Sequence, residues 1–373
     1  MRSGILAAGN WLIDHVKLID GWPPQDGLAN ITGQSAHNGG GPYNVLKDLA
    51  KLRAPFPLAG LGLVGDDENG RTILADCAAH GIDTVRLRVR PGAATGYTDV
   101  MTVRGTGRRT FFHNRGANAQ LGPADFNFTG VSARHLHLAY LLLLDDLDAP
   151  GADGRPRAAE VLARARAAGL RTSLDCVSEN SDRFQSVVLP VLPEVDVLFT
   201  NDYEAEKLTG LTLGRGDSLD RAQVEAAGRR LVAAGVREWV ILHYPEGACA
   251  VGRSGEVHFQ GAVRLPSAEI AGTVGAGDAF AAGVLYGLHE RWPMERCLEL
   301  GVGVAAASLR HPSCSEAVLP ADECLALARH HDWGCSVAGL QKDRRVAKVC
   351  SKRRGRRHRY RIGGRYRRLS RRT

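Results

Sequence analysis

Residues 271–280 read A-G-T-V-G-A-G-D-A-F, and the residues after them, 281–290, continue as an apolar helical pattern. Small residues that lead into a helix leave its first backbone N–H groups without intrahelical acceptors. The amides of Gly275, Ala276 and Gly277 are then open donors, and the positive end of the helix dipole adds to them. With so few side chains in the way, a phosphate could approach the backbone closely. Asp278 falls in the first helical turn. A carboxylate beside a bound phosphate can take a proton from an attacking hydroxyl. The plainer reading of the same ten residues is a helix start with Asp278 compensating the dipole, and the segment alone does not separate the two.

Outward from this stretch, short apolar runs alternate with longer helical patterns. Strands are expected at Gly4–Ala8, Phe56–Leu61, Arg134–Ala139, Arg171–Asp175, Val195–Thr200 and Glu238–His243. Helices are expected at Tyr43–Leu52, Gly70–His80, Arg157–Ala168, Ala205–Thr209, Ala222–Ala234 and Gly277–Glu290. Buried, non-alternating strands separated by helices predict an α/β chain with a mainly parallel central sheet and helices on both faces. Trp11–Ile31 and Thr95–His113 break the rhythm. T-G-Y-T-D-V-M-T-V and R-R-T-F-F-H flank R-G-T-G, a hairpin signal. Both stretches are assigned to a small β lid, residues 11–35 and 93–116. Ligands of open α/β sheets bind at the carboxyl ends of the strands, where a cover would exclude water.

The chain has 373 residues, 44% hydrophobic and 24% charged, enough for one large α/β domain with a tail. Its net charge of +8 is not a property of the whole chain. Residues 342–373 hold 16 Lys and Arg against one acid, which leaves residues 1–341 near −7. That excludes the body as a nucleic-acid binder by charge. The tail, residues 336–373, is expected to be disordered, with no part in the main function. The eight cysteines form no C-x-x-C pair and no zinc-type cluster with histidine, so free thiols in a reducing cytoplasm are expected. No apolar run is long enough for a membrane span, and M-R-S-G-I-L-A-A-G-N-W does not read as a secretory signal.

Three segments together resemble the ribokinase-like (PfkB) carbohydrate kinases. A-G-T-V-G-A-G-D-A-F is similar to the family's second signature, D-T-x-G-A-G-D. H-N-G-G-G-P-Y-N-V-L-K-D-L-A-K-L, residues 37–52, followed by G-L-G-L-V-G-D-D-E-N-G, resembles the first. T-N-D-Y-E-A-E-K-L-T-G, residues 200–210, resembles the N-x-x-E motif. The three stand in family order and extend the resemblance over residues 4–330, within a kinase domain drawn as residues 1–335.

The resemblance implies ATP- and Mg²⁺-dependent phosphorylation of a hydroxyl, primary by expectation, on a sugar or sugar acid. Asp278 would be the catalytic base, and Gly275, Ala276 and Gly277 the anion hole. Asp14, Gly39, Gly40 and Asn44 would hold the sugar, with Arg115 and Asn118 reaching in from the lid. Asn201, Thr273, Gly247, Gly275 and Gly277 would lie on the nucleotide side. Glu204 would help place Mg²⁺, through water. The plainer readings are a turn residue for Asp14, a solvated hairpin end for Arg115 and Asn118, and an Asn-capped helix with a solvated Glu for Asn201 and Glu204. A homodimer through the lid is compatible with the β-rich stretches.

The chain also departs from the family pattern. The acid expected before Thr273 is Gly272, which leaves a monovalent-cation site in doubt. The nucleotide-side T-L-G-x-x-G reads L-H-Y-P-E-G at 242–247, with His243 taken as a satisfied strand-end histidine. G-L-G-L-V-G at 60–65 fits a dinucleotide fingerprint by spacing. Asp66 and Asp67, directly after it, would repel a pyrophosphate, and no Walker sequence occurs. The alternatives are a nucleoside kinase, a sugar-sensing pseudo-kinase, and a nucleic-acid-binding protein acting through its arginine-rich tail.

Overall fold

The computed structural model describes residues 2–330; the basic tail, with the expectation made for it, lies outside the described residues. In chain order the strands are β1 Ile5–Gly9, β2 Leu12–Ile19, β3 Ile31–Gly39, β4 Leu58–Gly65, β5 Asp83–Arg90, β6 Gly96–Val103, β7 Arg109–Asn114, β8 His135–Leu141, β9 Arg171–Cys176, β10 Val197–Asn201, β11 Trp239–Tyr244, β12 Gly247–Gly252 and β13 Val257–Gly261. The α-helices are α1 Gly41–Lys51, α2 Glu68–Ala79, α3 Asp145–Asp148, α4 Arg157–Ala167, α5 Asp202–Thr209, α6 Arg221–Ala233, α7 Ala276–His289, α8 Met294–Ser308 and α9 Ala321–His330.

Nine strands form one sheet in the order β13-β12-β11-β10-β9-β8-β1-β4-β5, parallel from β11 to β5 with an antiparallel edge at β12 and β13. Alternation along β1 shows why both faces are covered. Ile5 and Ala7 pack into a core with α1, α2, α7, α8 and α9, while Leu6 and Ala8 pack into a second core with α4, α5 and α6. All these side chains are buried, which is what a sheet buried on both faces requires.

The remaining strands, β3-β2-β6-β7, make a second sheet of four. The R-G-T-G segment joins β6 to β7, and the paired register runs from Tyr97–Asn114 to Thr102–Arg109. The β3 strand continues to Gly39, beyond the expected end of that lid segment, because His37, Asn38 and Gly39 pair with Asp14, Ile13 and Leu12. The first three residues of the first signature, 37–39, are therefore strand. The expected strands and helices of the body lie within a few residues of the observed ones. Unanticipated were β5, β12, β13, the short α3, α8 and α9.

The G-L-G-L-V-G stretch lies inside β4 and opens no helix. Gly60 and Gly62 make room for Trp11, and Gly65 for the backbone of residues 93–95. A Cβ on Gly60 would stand 2.6 Å from the indole, and one on Gly62 would collide with it. The indole N–H donates to the carbonyl of Leu61 at 3.0 Å. Asp67 caps α2, accepting from the amide of Gly70 at 2.8 Å. Packing accounts for the glycines, and a cap for the acid that follows them.

Candidate active site

Asp278 sits in the first turn of α7 and is 3% exposed. Its carboxylate accepts from the Asn44 amide at 2.8 Å and from the Tyr140 hydroxyl, which lies 2.6 Å from both oxygens. Burial raises its pKa to about 6, against the lowering effect of the two donors. Asn44 belongs to the first turn of α1, which begins directly after β3. Gly40 can stand between strand and helix because its φ is 95° and because a Cβ would run into the Asn10 carbonyl.

The Asp14 carboxylate lies over Gly39, where a Cβ would strike it. Burial pushes Asp14 up to about 7, the neighbouring Thr98 hydroxyl works against this, and the charge of Asp278 adds to it. The first-signature residues Gly39, Gly40 and Asn44 therefore meet Asp14 and Asp278 in one place. The amides of the first turn of α7 open beside them, after Gly275 in the left-handed region at φ 75°. A Cβ on Gly275 would come within 2.5 Å of Cys314, so both backbone angle and space require glycine there. A carboxylate held by two donors beside a turn of open amides can take a proton from a hydroxyl while the amides meet an anion.

Glu204 is 2% exposed, not solvated. It closes a capping box on α5: it accepts from the Asn201 backbone amide at 3.0 Å and from the Ser178 hydroxyl at 2.8 Å, while Asn201 accepts from the Glu204 amide at 2.9 Å. Burial raises Glu204 to about 7. Asp175, at the carboxyl end of β9, is pushed well above the usual carboxylate range by burial, then by the charges of Glu204 and Asp278. Asp48, one turn along α1 from Asn44, is likewise raised by burial, with Ser315 opposing and Asp278 adding to the shift. None of these acids makes an ion pair among the described residues.

Such a group of uncompensated acids fits a divalent cation bound mainly through water and phosphate oxygens. Among the described residues no cluster of three or more ligands forms a ready-made metal cage. A monovalent cation fits less well. Gly272 brings no carboxylate, and Nη2 of Arg109 stands 3.2 Å from where its Cβ would be.

Of the residues expected on the nucleotide side, Thr273 is exposed in the loop before α7. His243, at the end of β11, packs on α7. Its ring lies 5.3 Å from that of Phe280 and 3.1 Å from where a Cβ on Gly277 would be, and burial lowers its pKa to about 4. It thus packs against the first turn of α7 at Gly277, a contact the strand-end reading did not include. Gly247 starts β12, where any Cβ would collide with the Gln260 carbonyl, so the hairpin alone accounts for its being glycine.

The lid residues behave differently from expectation. Arg115 pairs with Asp145 and lies 3.7 Å from Glu179, so its charge is matched within the chain. Asn118 is fully buried and clamps the Trp11 backbone, accepting from its amide and donating to its carbonyl at 2.9 Å each. Tyr140 and Asp175 were not anticipated. Both end parallel strands at the carboxyl edge, and that position was the available signal.

The pfkB family carbohydrate kinase profile matches residues 5–322. An ATP-dependent ribose-1-phosphate kinase of Halopiger xanaduensis is 30% identical over 304 residues, 79% of this chain and 88% of that protein. A 5-dehydro-2-deoxygluconokinase of Geobacillus thermodenitrificans is 26% identical over 303 residues, 78% of this chain and 84% of that one. The solved structure of Arabidopsis thaliana ribokinase with ribose and ATP superposes with a TM-score of 0.72 at 20% identity, covering 88% of this chain and 99% of that one. With a family match over nearly the whole described chain, the protein belongs to the pfkB family of carbohydrate kinases.

Proposed function

We propose that the protein transfers the γ-phosphoryl group of ATP to a hydroxyl, by preference a primary one, of a sugar phosphate or sugar acid. The observation that carries this reading is the Asp278 carboxylate, steadied by Asn44 and Tyr140 beside the open amides of α7. Asp278 accepts the hydroxyl proton as the acceptor oxygen bonds to the γ-phosphorus. The bond from phosphorus to the bridging oxygen breaks, and ADP leaves with that electron pair. The amides of Gly275, Ala276 and Gly277 carry the charge on the transferring group. Asp14, Gly39, Gly40 and Asn44 hold the acceptor. Thr273 and the 243–247 hairpin border the nucleotide, with Asn201 beside them. When Mg²⁺ is bound it neutralises the phosphate oxygens, and Glu204 and Asp175 would hold its water shell.

The two relatives of highest identity reported above are named for a sugar phosphate and a sugar acid, which supports an anionic acceptor. The test is ADP release with ATP and Mg²⁺ over ribose, ribose 1-phosphate, 5-dehydro-2-deoxygluconate, fructose and a set of nucleosides. The highest kcat/KM is expected for an anionic sugar. A preference for nucleosides, or release of no ADP with any sugar, would overturn the reading. Among the described residues no helix is long and apolar enough to cross a membrane.

A further inference from the structure

The mismatch at Gly272 points to a role for Arg109. Its guanidinium is half-buried, and burial lowers its pKa without removing its charge. Among the described residues no carboxylate pairs with it. It starts β7 and pairs with Thr102, four residues before His113, which pairs with Thr98. Asp14 pairs with Thr98 on the next strand, so this strand alternation puts Arg109 on the same lid face as Asp14. From there Nη2 reaches the place a Gly272 side chain would fill, a position also 3.2 Å from the His311 carbonyl and 3.0 Å from Cα of Pro312. Two segments meet there. One, 272–275, leads into the open turn of α7. The other, 311–314, ends at Cys314, which packs on Gly275 and feels the charge of Arg109.

A partly desolvated cation needs electron-rich neighbours, and the His311 carbonyl lies beside the place that Nη2 approaches. We propose that Arg109 is a built-in cation for the anion-hole loop. Carried in on a lid strand, it holds the 272–275 and 311–314 segments in register and takes the place of a bound monovalent ion. It is a positioning residue: it acts through the loop and touches neither reactant. The absent side chain at Gly272 is the space it uses. An acid there would fill that space and attract a soluble cation instead.

The proposal rests on the phosphoryl-transfer reading, so its test has one arm that needs no turnover. Thermal unfolding and steady-state kinetics are measured for the native protein, R109A and R109K, in potassium chloride and in tetramethylammonium chloride of equal ionic strength. The native protein should show the same Tm and kcat in both salts. For R109A, kcat should fall about tenfold to a hundredfold, less than the ~10²–10³ for loss of a direct oxyanion donor, with the acceptor KM within about threefold. Potassium, or millimolar guanidinium, should raise both the Tm and the kcat of R109A, and R109K should lie between the two. Potassium activation of the native protein, or an R109A variant with native kcat, would overturn the proposal. So would a loss in R109A that no small cation restores. If the native protein phosphorylates no acceptor, the phosphoryl-transfer reading fails, while the Tm comparison still decides whether the 272–314 site takes a cation once Arg109 is gone.

Discussion

Replacing Asp278 by Asn removes the proton acceptor and keeps its shape. The native carboxylate receives donors from Asn44 and Tyr140, and an amide can keep both contacts by turning its oxygen to Asn44 and its nitrogen to the tyrosine oxygen. The charge-assisted bonds weaken, but a buried charge whose pKa is pushed up to about 6 is also removed. These opposing terms should cancel to within about 1 kcal/mol, a Tm change of a few degrees at most. The rate is another matter. A positioned general base contributes about 10²–10⁴ in rate, or about 3–5 kcal/mol of barrier. Single-turnover ADP release with saturating ATP and acceptor should therefore slow by that factor in D278N, with the KM for ATP little changed. The native protein should also lose kcat/KM as the pH falls through about 6, where the carboxylate takes up its proton, and the variant should lack that limb. Turnover within about threefold of native in a folded D278N variant would refute the assignment of Asp278 as base.

Three further outcomes are expected. In Y140F the base loses a donor that lowers its pKa, so the acidic limb of the pH–rate profile should move upward; no movement, or movement downward, would rule out the contact as a tuning one. Asp14, Asp278 and Glu204 have folded pKa values of about 7, 6 and 7, above the ordinary 3.8, 3.8 and 4.5, so the stability they contribute is fully present below about pH 4 and lost as the pH rises through 6–7. The Tm of the protein without ligands should then fall between pH 5 and 8, less steeply in D14N, and equal slopes in the two would refute this account. Gly62→Ala should drive a methyl group into Trp11 at a cost of about 1–3 kcal/mol, read by urea unfolding, and leave the KM for ATP within about twofold. A raised KM with unchanged stability would restore a nucleotide role to the 60–65 stretch.

The parts of the fold legible in the sequence were those written in short-range pattern. Residues 197–199 and 239–242 are continuous apolar runs, and the R-G-T-G turn between alternating segments is a hairpin signal. In the same way Asp278, Asn44 and Glu204 were readable as motifs. The β5 strand, D-T-V-R-L-R-V-R, has alternation without hydrophobic weight, because it is an edge with one face in water. The α8 helix is rich in glycine and alanine because it packs tightly on α7, where a Cβ on Gly283 would meet Gly301 at 2.8 Å, so its sequence lacks an amphipathic stripe. Tyr140 and Asp175 are marked in the sequence only by their place at strand ends, and the pairing of distant strands brings them to Asp278. Arg115 shows what a local pattern leaves out. A cation near a glycine in a lid looks available until the fold supplies Asp145 and Glu179.

The passage of β3 into α1 through Gly39 and Gly40 has a mechanical meaning. The strand on which the Asp14 carboxylate rests and the helix whose Asn44 steadies Asp278 are one uninterrupted piece of chain, with two side-chain-free residues at the bend. Whatever seats itself against the strand pair pulls on the same few peptide units that aim the proton acceptor. On the proposed reading, recognition of the sugar and alignment of the base would thereby be linked through one short piece of chain.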